Sequence, residues 1–245
     1  MRIDKYLHEQ GYATSRTEAK ALLLEGAVRI GGKVVTKPSL EIAFDGQEIT
    51  VDRSAHRFAS RGGEKLAFAL LEFDISVEGK DALDVGASSG GFTDCLLQNG
   101  ARRVIAVDSG EGQMVKKLRE DSRVTVIENF NARYMTRADL CYVPSIAVMD
   151  VSFISATYII PAVYAVLADG GDFVCLIKPQ FEVGRANLSK GGIVKDGKAR
   201  EKALSDVVDF AKKIGFILRK TAVSPITGGD GNIEFLAHFV KGNNS

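Results

Sequence analysis

Two lysines and two acids stand where an open α/β sheet presents side chains to a ligand. Asp150 closes the apolar run 146–149, and Lys178 closes the run 173–177. Lys65 begins a helical pattern after Ser60-Arg61-Gly62-Gly63. Glu234 opens the last apolar run, behind the glycine loop Gly228-Gly229-Asp230-Gly231-Asn232. Carboxyl ends of parallel strands are where such sheets bind ligands, and an antiparallel last strand enters at that same side. A neutral amine there can take a proton from a hydroxyl, and a neighbouring cation can steady the oxyanion that forms. Each charge alone reads more readily as a solvated side chain. Their convergence beside a glycine loop is what points to chemistry.

That loop is Asp84-Val85-Gly86-Ala87-Ser88-Ser89-Gly90-Gly91, between the apolar pair Ala82-Leu83 and a helix-like segment, Phe92 to Gln98. Strand, glycine turn and helix in that order make a nucleotide-cofactor cradle. Gly86 permits a tight turn, and Gly90 and Gly91 admit a ligand close to the backbone. Asp108 ends the run 104–107, where a carboxylate accepts hydrogen bonds from both hydroxyls of a cofactor ribose. A turn that merely packs a helix on a sheet, and a nicotinamide site, remain alternatives. The spacing Gly-x-x-x-Gly-Gly favours S-adenosylmethionine, as does Asp84, placed to face a cationic amino-acid end. Asn131, after the third strand, reads either as an adenine contact or as a turn residue. The expected cofactor set is Asp84, Gly86, Ser88, Gly90, Asp108 and Asn131.

The elements that must position these residues follow two grammars. In residues 1–55, Ile3, Tyr6 and Leu7 recur at helical spacing and Gly11 ends the helix. Ser15-Arg16-Thr17-Glu18 is a capping box for a second helix that buries Ala19, Leu22 and Leu23 and stops at Gly26. Val28 to Ile30 and Lys33 to Val35 flank Gly31-Gly32, a hairpin signal. Residues 1–37 carry seven basic against four acidic side chains, +3, while residues 38–56 carry −3. A basic face of Arg2, Lys5, Arg16, Lys20, Arg29 and Lys33 suits phosphates of folded RNA; charge alone equally allows a solvated face.

A polar joint at 52–57 puts the boundary between 53 and 60, with 56–60 as linker and 61–245 as the second domain. There, strands at 104–107, 124–127, 146–149 and 173–177 follow the first, with helices at 112–118, 156–167 and 199–214. Runs 216–224 and 233–240 are joined by a short polar loop and must pair antiparallel. The fold class is α/β: a doubly wound sheet with one antiparallel strand, resembling the methyltransferase variant of the Rossmann fold, plus a small N-terminal α+β domain.

The 245 residues carry a net charge of +1, so nucleic-acid contact must come from local clusters. Cys95, Cys141 and Cys175 lie in apolar runs and read as buried free thiols of a reducing compartment. With His8, His56 and His238 they offer no zinc spacing, and no metal is expected. The longest apolar run, 156–168, holds Thr157 and Pro161 and is too short to span a bilayer. The N-terminus lacks a secretory core. A cytoplasmic protein with no membrane partner is expected.

Arg2-Ile3-Asp4-Lys5-Tyr6-Leu7, Ser15-Arg16-Thr17-Glu18-Ala19, Gly26 to Lys33 and Lys37-Pro38-Ser39 together resemble the alpha-L RNA-binding module of ribosomal protein S-four. Lys65, Asp150, Lys178 and Glu234, in that order, resemble the tetrad of FtsJ-like ribose 2'-O-methyltransferases. With Ser60 to Leu66 and Lys190-Gly191-Gly192-Ile193-Val194, the combination resembles the TlyA (hemolysin A) family over nearly the whole chain. The resemblance implies Lys65, Asp150, Lys178 and Glu234 as catalytic, S-adenosylmethionine as cofactor, and ribosomal RNA or ribosomal subunits as partner, modified at cytidine. Lys178 is the expected base and Lys65 the neighbouring cation. Lys190, Lys195, Lys198 and Arg200 read as phosphate contacts or as solvated charge. A membrane-lytic protein, as the family's historical name suggests, and an RNA-binding protein with a silent cofactor domain are the competing readings.

Overall fold

The computed structural model describes residues 1–13, 16–24, 26–42, 46, 48–52, 57–184, 187–189, 191–229 and 231–242. The expected cap at Ser15, His56 of the joint and the phosphate contact at Lys190 lie outside these residues. The chain forms two compact units, Met1–Arg57 and Phe58–Ser245.

The first unit holds α1 (Ile3–Glu9), α2 (Arg16–Leu24) and the strands β1 (Val28–Ile30), β2 (Lys33–Val34) and β3 (Ile49–Val51). Ile3 and Leu7 of α1 and Ala19 and Leu23 of α2 bury one stripe each against Val28 and Ile49. Gly31 and Gly32 both adopt positive φ, 54° and 79°, as the tight hairpin turn between β1 and β2 requires. The third strand, β3, pairs antiparallel with β1 and places β1 in the centre of the sheet. No sequence pattern announces it.

The second unit contains α3 (Gly62–Glu72), β4 (Asp81–Val85), α4 (Gly91–Gln98), β5 (Arg103–Val107), α5 (Lys116–Arg119), β6 (Val124–Ile127), β7 (Ile146–Met149), α6 (Ile160–Val166), β8 (Asp172–Ile177), α7 (Pro179–Glu182), α8 (Gly197–Ile214), β9 (Phe216–Val223) and β10 (Phe235–Lys241). The sheet order is β6-β5-β4-β7-β8-β10-β9, parallel except for β10, which runs antiparallel to both neighbours. The central strands β4 and β7 are buried along their whole length; β7 reads as an unbroken apolar run, while β4 buries Asp81 and Asp84 among its apolar residues. Their side chains alternate between two layers. Leu83, Val85, Ala147 and Met149 pack with α6 and α8, and Ala82, Ile146 and Val148 pack with α3 and α4.

Three expectations need correction. The helix at 112–118 shrinks to α5, because Gly112 takes φ +67° and Val115 is extended. The helix at 156–167 splits into a 3-10 turn, Ala156–Tyr158, and α6, with Pro161 in its first turn, where its missing N–H does no harm. Cys141 is exposed, while Cys95 and Cys175 are buried.

Candidate active site

Four adjacent strands build the site. In the order β4-β7-β8-β10 the three parallel strands end at one rim, and β10 begins there, with Phe235 opposite Ile177. Neighbouring strands lie about 4.8 Å apart. The residues one step beyond β7 and β8 and one step before β10 are Asp150, Lys178 and Glu234, so the register alone gathers them at that rim.

Lys65 joins them from the first turn of α3. Its Nζ donates to Glu234 Oε2 at 2.5 Å, in a pair 7% and 2% exposed. The loop before β10 is shaped around this carboxylate: a Cβ on Gly228 would stand 2.5 Å from Glu234 Oε1. Lys178 Nζ lies 2.5 Å from Asp150 Oδ1 and donates to Ser152 Oγ at 2.8 Å. Asp150 Oδ1 receives no aligned hydrogen bond, so the contact with Lys178 is an ion pair and Ser152 takes the directed bond. The four expected residues thus meet as two ion pairs on adjoining strand ends.

The glycine loop sits beside them. Asp150 N donates to Val85 O, and a Cβ on Gly86 (φ +86°) would come 2.3 Å from the Asp150 carbonyl oxygen. Gly86 therefore lets the loop lie flat against the backbone that carries Asp150. Gly90 and Gly91, expected to let a ligand approach the backbone, also meet protein atoms closely. A Cβ would meet Leu118 at Gly90 and Ser60 Oγ at Gly91, so both are required for packing.

Asp84 is fully buried. Its Oδ2 accepts from Thr93 Oγ1 at 2.6 Å, while Oδ1 has no partner. Burial first, and then the nearby Asp150 charge, raise its pKa to about 7 against the pull of the Thr93 bonds. An orphaned buried acceptor carries a desolvation cost that a cationic donor would remove. Asp108, at the end of β5, accepts from Ser88 N at 2.8 Å and Gly110 N at 2.7 Å, and each oxygen keeps a second lone pair. Asp84 and Asp108 fit the ammonium end and the ribose hydroxyls of S-adenosylmethionine. Ser88 is engaged internally: its amide holds Asp108 and its hydroxyl donates to Gln113 Oε1 at 3.0 Å. Asn131 caps a 3-10 turn through Oδ1, accepting from Arg133 N at 3.1 Å, which is the turn role of the two open readings.

Other residues escaped sequence reasoning. Glu182 accepts from Ser155 Oγ at 2.6 Å and Ala156 N at 2.8 Å, tying the segment after β7 to α7; burial raises its pKa. Asn232 is 1% exposed and holds the strap at 192–194, accepting from Val194 N and donating to Gly192 O. Phe153 is 92% exposed at φ +66°, with its ring 5.4 Å from that of Phe181. A bulky residue in that region is strained, and such strain gathers at functional sites. Among the described residues no group of His, Cys, Asp and Glu could hold a metal ion.

In the first unit Arg2, Lys5, Arg16, Lys20, Arg29 and Lys33 are all exposed. Lys5 pairs with Glu9 at 3.5 Å, and Arg29 donates to the Gly32 carbonyl at 3.3 Å. In the second unit, Arg200 donates to the Val194 and Lys195 carbonyls, so it braces the strap.

Residues 58–241 match the FtsJ-like methyltransferase family, and residues 1–49 match the S4 domain. Hemolysin A of Brachyspira hyodysenteriae is 46% identical, over 98% of this chain and 100% of that protein. The 16S/23S rRNA (cytidine-2'-O)-methyltransferase TlyA of Mycobacterium tuberculosis is 39% identical, over 96% of this chain and 87% of that protein. A solved structure described as a hemolysin, from Streptococcus thermophilus, shares 45% identity with a TM-score of 0.79 and covers 99% of this chain and 89% of its own. The chain belongs to the FtsJ-like methyltransferase family, with an S4 domain ahead of the catalytic fold and S-adenosylmethionine as its methyl donor.

Proposed function

We propose that this chain methylates a ribose 2'-hydroxyl of ribosomal RNA, at cytidine, in the cytoplasm. The observation that carries the reading is the pair of ion pairs, Lys65–Glu234 and Lys178–Asp150, on strand ends next to the orphaned Asp84 carboxylate. A 2'-hydroxyl is a poor nucleophile and must lose its proton as it attacks. Bound S-adenosylmethionine supplies an electrophilic methyl group.

Lys178 Nζ, aimed by Asp150 and Ser152, first gives up the proton of its ammonium form to solvent, and the neutral amine then takes the hydroxyl proton. Lys65, held by Glu234, steadies the developing alkoxide. Asp84 and Asp108 orient the donor, and much of the rate comes from holding the reacting atoms in line at about 3 Å. Phe153, exposed three residues after Asp150, offers an unstacked base an aromatic face. The basic face of the first unit contacts RNA phosphates. The TlyA relative's name supports cytidine in ribosomal RNA. Another relative bears the name hemolysin, yet among the described residues no helix is long and apolar enough to cross a membrane.

The test is transfer of labelled methyl to ribosomal subunits and to deproteinised ribosomal RNA, followed by nucleoside mass spectrometry. The expected product is 2'-O-methylcytidine. Methyl on a base carbon or nitrogen, or no transfer to any RNA, refutes the reading.

A further inference from the structure

Among the described residues of the first unit one carboxylate is completely buried, and two arginines from different segments reach for it. Asp4, in the first turn of α1, is 0% exposed. Its Oδ1 accepts from Arg2 Nε at 3.0 Å and from the Lys5 amide at 2.9 Å. Its Oδ2 accepts from Arg2 Nη2 and Arg16 Nη2, each at 3.0 Å. Arg2 precedes α1 and Arg16 opens α2, so one oxygen joins guanidiniums that lie 14 positions apart in the chain. Sharing that oxygen keeps the two Nη2 atoms within about 6 Å of each other, a gap one phosphate group can bridge with charge-assisted bonds.

Both side chains nonetheless remain open to solvent, 46% and 50% exposed. Each guanidinium carries five N–H donors, and the bonds to Asp4 occupy two on Arg2 and one on Arg16. A free surface arginine loses side-chain entropy of about 2 kcal/mol when a ligand orders it. Two that are already ordered lose less on binding. The arrangement has the form of a receptor: a buried anion underneath, two forks above it, and unused donors facing outward.

We propose that Asp4 is a positioning residue that locks Arg2 and Arg16 into a single two-pronged receptor for one phosphodiester of folded ribosomal RNA. The inference rests on the reading of this unit as RNA-binding and adds to it a residue of the opposite charge. That opposite charge makes the test sharp. By charge counting, Asp4→Asn removes a negative charge from an RNA-binding face, so affinity should rise and the salt dependence steepen. By positioning, the forks lose their anchor and affinity should fall.

Binding of the full-length chain to deproteinised ribosomal RNA, measured over roughly 50–200 mM salt, separates the two. We expect Asp4→Asn to bind about tenfold more weakly, with the slope of log K against log salt shallower by about 1. Wild-type or tighter binding with an unchanged or steeper slope overturns the proposal. Should Asp4→Asn fail to fold, the double variant Arg2→Lys, Arg16→Lys keeps both charges and Asp4 but removes the forks. It is expected to show the same loss, and wild-type affinity in it overturns the proposal. A wild-type chain with no salt-dependent RNA affinity would instead defeat the RNA-binding reading itself, and the inference with it.

Discussion

Replacing Asp84 by Asn should make the ligand-free protein more stable at alkaline pH while removing its grip on the methyl donor. The carboxyl is fully buried, which pushes its pKa up to about 7 from an ordinary 3.8. The folded chain therefore binds this proton more tightly than the unfolded chain, by about 4 kcal/mol. The sign follows from proton counting. Between pH ~4 and ~7 the folded state holds more protons, so stability falls as pH rises and levels off above the folded pKa. Between pH 5 and pH 8 the loss from this one group is on the order of 2–3 kcal/mol.

Asn cannot ionise, so Asp84→Asn escapes that loss, and the difference between variant and wild type cancels titration elsewhere. Urea unfolding at the two pH values should show the variant gaining on the order of 2–3 kcal/mol on the wild type from pH 5 to pH 8. For a chain of this size that is roughly 5–10 °C in Tm. The gain comes with loss of S-adenosylmethionine binding in calorimetry, and wild-type binding near pH 6 should release a proton, seen as a buffer-dependent heat. A variant-to-wild-type difference that is the same at both pH values would refute the reasoning, because Asp84 would then not ionise in this range.

Gly86→Ala places a Cβ 2.3 Å from the Asp150 carbonyl at a φ of +86°, so both donor binding and methyl transfer should fail, with stability reduced by more than about 2 kcal/mol in urea titration. Glu234→Gln strips the counter-charge from buried Lys65 and should cost about 3 kcal/mol, measurable by the same titration. Ser152→Ala removes the directed bond to Lys178 and should lower kcat about tenfold while the donor Kd stays within twofold; a change in Kd alone would place Ser152 in cofactor binding instead.

The sheet was legible because its central strands are buried on both faces, so runs such as Phe173 to Ile177 have no polar interruption. Strand ends were legible for the same reason, and Asp150, Lys178 and Glu234 could be placed at one rim from topology alone. What escaped were contacts between residues distant in the chain. Nothing near Asp84 in sequence marks Thr93 as its hydroxyl partner, and nothing near Asn232 marks the strap at Val194. The packing role of Gly90 and Gly91 escaped because a glycine admits neighbouring protein atoms as readily as a ligand, and only coordinates reveal Leu118 and Ser60 there. The helix at 112–118 had the right periodicity, but the loop over Asp108 uses Gly112 to turn away from it. Asp4 read as a minor deduction from a positive charge count, yet it organises two of the residues being counted.

The most direct test of the two-pair site is the single-turnover rate of Lys178→Ala on ribosomal RNA, with donor and RNA affinities measured on the same preparation. Both affinities should stay near wild type while the rate falls by roughly 10²–10⁴-fold, as expected for removal of a general base. A rate within threefold of wild type, at unchanged affinities, would contradict the assignment of proton removal to this amine.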